Sequence, residues 1–187
     1  FKLVIANTNK MRGLTDSKYN ERVAECRLAV TYLSHTMPIS KLGELSYMQF
    51  FKIQDNIPDE LIRRRARHVI SENQRVLNAV ACLNRNDILQ FGVLMNASHE
   101  SLRDNYEVTG FELDTLVSEA QKVHGVVGAR MTGAGFGGCT VNLVREEVVD
   151  KFIEQVGREY HAKTGLTADF YLGEVSDGVM EMQVSDI

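Results

Sequence analysis

The chain has no tryptophan, only two prolines and three cysteines in 187 residues. Cys26, Cys82 and Cys139 are odd in number, far apart and each in an apolar setting. That pattern excludes a disulfide framework or a zinc site and fits reduced core thiols of a cytoplasmic protein. No apolar run approaches the ~20 residues that a spanning helix needs, and no signal-peptide pattern is present, so no membrane role is expected. A basic excess is also lacking. The net charge is −4, which argues against nucleic acid as a partner. What remains is an ordinary globular composition, 44% hydrophobic and 25% charged, with enough chain for one good core.

The scarcity of proline leaves room for helices. "FKLVIA" (1–6) reads as a strand ending in the turn-prone "NTN". A helix capped by Ser17 runs to about Ser34, with a buried stripe Tyr19, Val23, Cys26, Val30, Leu33 stepping 4, 3, 4, 3. "MPISKLGELSYMQFFK" is a connector with short helical pieces. Pro58 suits a first helical turn, with Asp59 and Glu60 complementing the dipole. The helix that follows holds Val69, Val76, Val80 and Leu83 on one face. "NRND" (84–87) joins it to a helix over "ILQFGVLMNASHESL". Further helices are expected at about Phe111–Val123 and Glu146–Lys163, the last flanked by strands "CTVNLV" and "DFYLGEV". Helices between sequence-distant strands predict an α+β layer: one domain with a small, mostly antiparallel sheet and helices packed on it. The chain opens on Phe1, already inside a strand-like run, which predicts a cut at a domain boundary with more protein ahead of it.

Glycine is concentrated where it costs most. "ARMTGAGFGGCTVNLV" (129–144) places four glycines within Gly133–Gly138, an entropic cost unless the backbone there does something other residues cannot. The G-x-G-x-x-G match of Gly133, Gly135 and Gly138 fails as a dinucleotide fingerprint, because a strand and not a helix follows. It is not a protein-kinase loop, lacking a nearby strand lysine and the H-R-D and D-F-G motifs, nor a P-loop, lacking G-K-[S/T]. Three readings stay open on chemistry alone. The loop can gather N–H groups into an anion-binding nest, pack flat against another backbone, or simply join two strands with glycines at positive φ. Phe136 lies within it, and Thr132 and Thr140 flank it.

"ARMTGAGFGGCTV" closely resembles the third conserved motif of the GHMP small-molecule kinases, in the form typical of galactokinases. "IANTNKMRGLTDSKYNERVAECRLAV" (5–30) resembles the segment after their catalytic region. "RARHVISENQRV" (65–76) and "LMNASHESLRDNYEVTGFELDTLV" (94–117) resemble the two blocks that come before the third motif. The resemblance covers Phe1 to about Tyr171, in order, and has a bacterial flavour. It implies the carboxy-terminal domain of such a kinase, with a ferredoxin-like sheet. The amino-terminal half carries the sugar-contacting first motif, the phosphate loop, the Mg²⁺ ligands, the catalytic aspartate and its arginine. The implied reaction moves the γ-phosphate of ATP to O1 of α-D-galactose. ATP and Mg²⁺ are implied cofactors, held mainly by that other half, which is itself the implied partner, with neither a catalytic base nor a metal ligand in this chain.

Within this chain the resemblance assigns Tyr19 a hydrogen bond to the sugar, where the pattern alone makes it a core tyrosine. It puts Gly133, Ala134, Gly135, Phe136, Gly137 and Gly138 at the domain interface, buttressing the phosphate loop. Arg12, Ser98, His99 and Thr132 are candidates to support that site. Two other functions stay open: a sugar- and ATP-sensing regulator of transcription without turnover, and a GHMP kinase for another sugar. Other tempting residues have plainer readings. "RRRARH" (63–68) reads as a solvated face, His68 and Glu72 as a helix-surface pair, and Ser101 and Arg103 as helix-end polar groups. Asp104, Glu107, Glu112 and Asp114 read as caps and surface charges.

Overall fold

The computed structural model describes residues 1–11 and 15–174, without the side chains of 15–17. Its order is β1 (Lys2–Asn7), α1 (Thr15–Ser34), α2 (Tyr47–Ile53), α3 (Glu60–Asn84), α4 (Ile88–Ser101), α5 (Phe111–Lys122), β2 (Val126–Thr132), β3 (Cys139–Val144), α6 (Val149–Thr164) and β4 (Asp169–Gly173). The sheet order is β2-β3-β1-β4, every neighbouring pair antiparallel. This is the ferredoxin-like arrangement expected from the resemblance. α1 starts at Thr15, two residues before Ser17. Strand β2 was not anticipated. Its glycine and arginine mask the β pattern, and its core-facing Ala129 and Met131 are only two residues of a short alternation.

Helices α5 and α6 cover one face of the sheet. Val4, Ala6, Ala129 and Val144 meet Leu116, Phe152, Val156 and Tyr160 in a shared core. A second core joins α1, α2 and the first half of α3 through Leu33, Phe50, Ile62 and Ile70. α3 starts at Glu60, so Pro58 lies before the helix and Asp59 is its N-cap, accepting from Leu61 and Ile62 N–H; at α2, Ser46 with Gln49 forms a capping box that the sequence reading did not name.

The second half of α3 departs from expectation. Val76, Val80 and Leu83 do not sit in a core; they are 61, 51 and 46% exposed, beside Leu77, Leu89 and Val93, also exposed. Between this stripe and the sheet face away from α5 and α6 lies a cleft of about 450 Å³, bordered by Val76, Phe91, Leu3, Val141, Arg130 and Thr132. Helix α4 crosses β2 where two glycines meet. A Cβ on Gly92 would stand 2.2 Å from Val127 O, and one on Gly128 2.7 Å from the Gly92 backbone.

The "RRRARH" run is not a solvated face. Arg65 is 1% exposed and His68 6%; both are buried because α1 and the segment after α4 supply partners that local sequence cannot reveal. His68 does not pair with Glu72. Its ring stacks on Tyr106 at 4.3 Å, and its Nδ1 lies 3.0 Å from Ser101 Oγ. Burial, assisted by the charges of Arg75, Arg130 and Arg65, pushes this imidazole from 6.5 down to about 4. The fold therefore prefers the neutral ring, whereas the unfolded chain takes a proton near pH 6.5. The resulting stability is fully present above pH 6.5 and is lost as pH falls toward 4, by up to about 3 kcal/mol. Denaturant unfolding followed from pH 7 to 4 should show this decline, and His68→Gln should remove on the order of 2–3 kcal/mol of it. An unchanged slope in the variant would refute the assignment.

Candidate functional site

Five of the six residues of the β2–β3 connection have positive φ: Gly133 (83°), Gly135 (86°), Phe136 (57°), Gly137 (122°) and Gly138 (90°). For Phe136 that conformation costs about 1 kcal/mol or more. It is offset by packing of the ring with Leu102, Val108, Leu113 and Met131. The Phe136 N–H donates to Val108 O at 2.8 Å. A Cβ on Gly135 would come within 2.0 Å of that same oxygen, so no side chain fits there. At the far end Gly138 N–H donates to Thr8 Oγ1 at 3.1 Å, and Gly138 O accepts from Thr8 N at 2.8 Å. Thr8 is itself fixed by Tyr160, whose hydroxyl donates to Thr8 O at 2.8 Å. The loop is thus packed backbone against backbone, and two of its N–H groups are spent inward. Thr132, Gly133 and Ala134 remain exposed as its tip.

β2 is an edge strand, and α4 satisfies its outer N–H groups. Ala129 N–H donates to Asn96 Oδ1 at 2.9 Å, and Met131 N–H to His99 Nδ1 at 3.3 Å. Accepting at Nδ1 fixes the neutral ring as the Nε2–H tautomer. Nε2 then faces Asp114 Oδ1 at 3.1 Å, without hydrogen-bond alignment. His99 therefore supports the strand that runs into the glycine loop, and Asp114, expected to be a cap or surface charge, faces it instead.

Ser98 does not touch the loop. Its hydroxyl donates to Glu72 Oε2 at 2.5 Å, Glu72 is paired to Arg75, and this group edges the cleft beside Arg130. The Arg130 Nε donates to Met131 O at 3.0 Å. Among the described residues this guanidinium meets no carboxylate, and burial lowers its pKa. Thr140 is buried and accepts from Asn142 Nδ2 at 3.0 Å. Glu112 pairs with Lys10 at 2.6 Å, beneath the loop. Arg103 turns outward to Asp104 at 2.7 Å. Arg12 lies outside the described residues.

Tyr19 leaves the expected core stripe and is 63% exposed. The buried side of this turn of α1 is taken by Arg22, 5% exposed. Arg22 Nε donates to Tyr106 O at 2.6 Å and Nη2 to Glu107 O at 3.3 Å. Burial pushes the Tyr106 phenol up; Cys26 and Tyr19 add to the rise. Sequence reasoning missed Thr8, Arg22 and Arg65. Only Arg22 carried a signal, standing one turn beyond Tyr19 on the same helix.

Among the described residues no group of three or more His, Cys, Asp or Glu is placed to hold a metal. None of the described helices is long and apolar enough to cross a membrane.

The family model described as "GHMP kinases C terminal" matches residues 79–162. The chain is 55% identical over 182 residues to a galactokinase of Clostridium acetobutylicum and 54% identical to that of Clostridium beijerinckii, covering 97% of this chain and 47% of each relative. The structure superposes on the crystal structure of Lactococcus lactis galactokinase complexed with galactose, with a TM-score of 0.92 and 48% identity, over 97% of this chain and 47% of that one. The chain thus spans about half the length of the galactokinases it matches. With the ferredoxin-like sheet, the glycine connection and these matches together, the chain belongs to the GHMP kinases, as a carboxy-terminal domain of that family.

Proposed function

We propose that this chain is the carboxy-terminal half of a bacterial galactokinase, which transfers the γ-phosphate of ATP to O1 of α-D-galactose. The observation that carries the reading is Tyr19: a tyrosine on a packed helix that nonetheless stays 63% exposed. A relative at 48% identity has been crystallised complexed with galactose, which supports galactose as the molecule this phenol addresses. Its hydroxyl offers one donor and one acceptor to a sugar hydroxyl.

Phosphoryl transfer depends mainly on positioning and on neutralising charge at the transferred group. In this reading the present half contributes positioning. Thr132, at the start of the exposed tip, borders the cleft, and the rest of the loop is held from both sides so that it can bear against an apposed phosphate loop. ATP supplies the phosphoryl group. The family resemblance places the Mg²⁺ ligands and the catalytic base in the amino-terminal half. That half is also the proposed cover for the uncovered stripe of α3 and α4 and for the cleft, where an acidic group could meet Arg130. Cytoplasmic localisation follows from the proposed activity.

Three measurements test this. In the full-length enzyme, Tyr19→Phe should raise KM for galactose about 5- to 10-fold, the worth of one hydrogen bond, with KM for ATP within about twofold; an unchanged galactose KM discards the role. Gly135→Ala forces a Cβ onto the Val108 carbonyl and should lower kcat by on the order of 10- to 100-fold, as expected for a displaced positioning element. Full activity in that variant would remove the loop from the mechanism. The 187 residues alone should not phosphorylate galactose, and measurable turnover by them would overturn the proposal.

A further inference from the structure

The segment between α4 and α5 joins the helix of Tyr19 to the glycine loop. After Ser101 the chain makes one turn of π-helix, Leu102–Tyr106, and Glu107 follows in the left-handed region at φ 54°. Such a path leaves carbonyls without the helical partners they would otherwise have. Four successive carbonyls are taken by arginines from other helices. Asp104 O accepts from Arg64 Nη1 at 2.7 Å, and Asn105 O from Arg65 Nη1 at 2.6 Å. Tyr106 O and Glu107 O both accept from Arg22. The fifth, Val108 O, accepts from Phe136 N–H of the glycine loop at 2.8 Å.

Two glutamates tie the arginines together. Glu107 accepts from Arg65 Nη2 at 2.7 Å and meets Arg64 at 2.7 Å. Its carboxyl is held below the usual range, first by Arg65. Glu25 accepts from Arg65 Nε at 2.8 Å and from Arg22 Nη1 at 2.9 Å. Arg22 and Arg65 are 5% and 1% exposed, so loss of one partner strands buried carbonyls and charges. One continuous strap, residues 104–108, therefore sets both where α1 sits and where the loop sits.

We propose that Arg22 is a positioning residue for sugar binding: by gripping the strap that also carries the glycine loop, it fixes Tyr19, one helical turn away, relative to that loop. This rests on the reading of Tyr19 as the sugar-binding phenol. A lysine keeps the charge but presents a point donor, unable to span two carbonyls and Glu25 together.

The test uses the full-length enzyme with Arg22→Lys, Tyr19→Phe and the double variant. Arg22→Lys should raise KM for galactose about fivefold or more, with KM for ATP within about twofold. A merely structural role would lower thermal stability without that split. Because Arg22 acts through the phenol, adding it to Tyr19→Phe should raise galactose KM by less than about twofold further, a non-additive pair. An equal rise in both KM values, no rise, or a full additive effect overturns the proposal while leaving Tyr19 in place. If Tyr19→Phe itself leaves galactose KM unchanged, the sugar reading fails and this inference with it. Should Arg22→Lys not fold, Glu107→Gln, whose side chain is 40% exposed, loosens the same strap through Arg64 and Arg65. It is expected to give the same split, and a galactose KM that stays at the wild-type value there also overturns the proposal.

Discussion

The structure around the site depends on one constraint: a run of backbone carbonyls, Asp104 to Val108, that leaves a single π-turn and finds its donors on other elements. An unmet carbonyl at a buried site costs roughly 1–3 kcal/mol; Val108 O is in that position, the carbonyls of Asn105, Tyr106 and Glu107 are partly so, and that of Asp104 lies at the exposed rim. Three guanidiniums and one loop N–H meet the demand. Arginine suits this work because its planar fork holds several donors at fixed angles and is more weakly hydrated than an ammonium. Burying the charges is itself costly, and Glu25 and Glu107 offset that cost by pairing with them. The strap is therefore a polar core, and its geometry is specified where an apolar contact would tolerate sliding.

The glycine loop uses the same logic from its other sides. Thr8 holds its carboxy-terminal end by both hydroxyl and backbone. Asn96 and His99 hold the edge of β2, the strand leading into it. These side chains stand where a neighbouring strand would otherwise pair, which leaves the edge closed to another chain. Glycine allows the fit: the absent Cβ atoms at Gly92 and Gly128 bring α4 close enough to β2 for Asn96 and His99 to reach across. Gly133, Gly135, Phe136, Gly137 and Gly138, all at positive φ, then turn the chain without letting it move freely, because the loop is tied to Val108 on one side and to Thr8 on the other.

How far this was legible in the sequence divides by the range of the interactions. The helices were readable because their start signals and periodicity are local: Pro58, Asp59 and Glu60 at the start of α3, "NRND" before α4, and the 3.6-residue rhythm in α1. The glycine run announced a special backbone, and the resemblance named its family. What could not be read was which polar residues would be buried. Arg65 and His68 look like part of a basic surface until α1 and the strap are folded against them, since burial of an arginine follows from partners far along the chain. For Tyr19 the apolar pattern alone errs in the opposite direction. Its place in a 4-3-4-3 stripe predicted a core ring, but Arg22 fills the buried side of that turn. β2 escaped because two of its seven residues, Gly128 and Arg130, face the α4 side and interrupt the apolar alternation.

The uncovered part of α3 belongs to the same problem of range. Val76, Val80 and Leu83 keep the helical spacing of a buried face, yet they are exposed. An apolar stripe continuous with a cleft that reaches the glycine loop through Thr132 is the usual mark of a binding surface on a soluble domain. Arg130 adds to that argument. Its guanidinium is half-desolvated, faces the like charge of Arg75 and has no carboxylate among the described residues, an arrangement that costs stability unless a negative group arrives from elsewhere. On the proposed reading, the amino-terminal half brings both the apolar cover and that charge. Closing the cleft would then exclude water beside the loop tip, where a phosphoryl group leaves ATP, and would strengthen every electrostatic contact made there. The same apposition would relieve the cost of the open face, so that assembling the two halves and completing the site would be a single event.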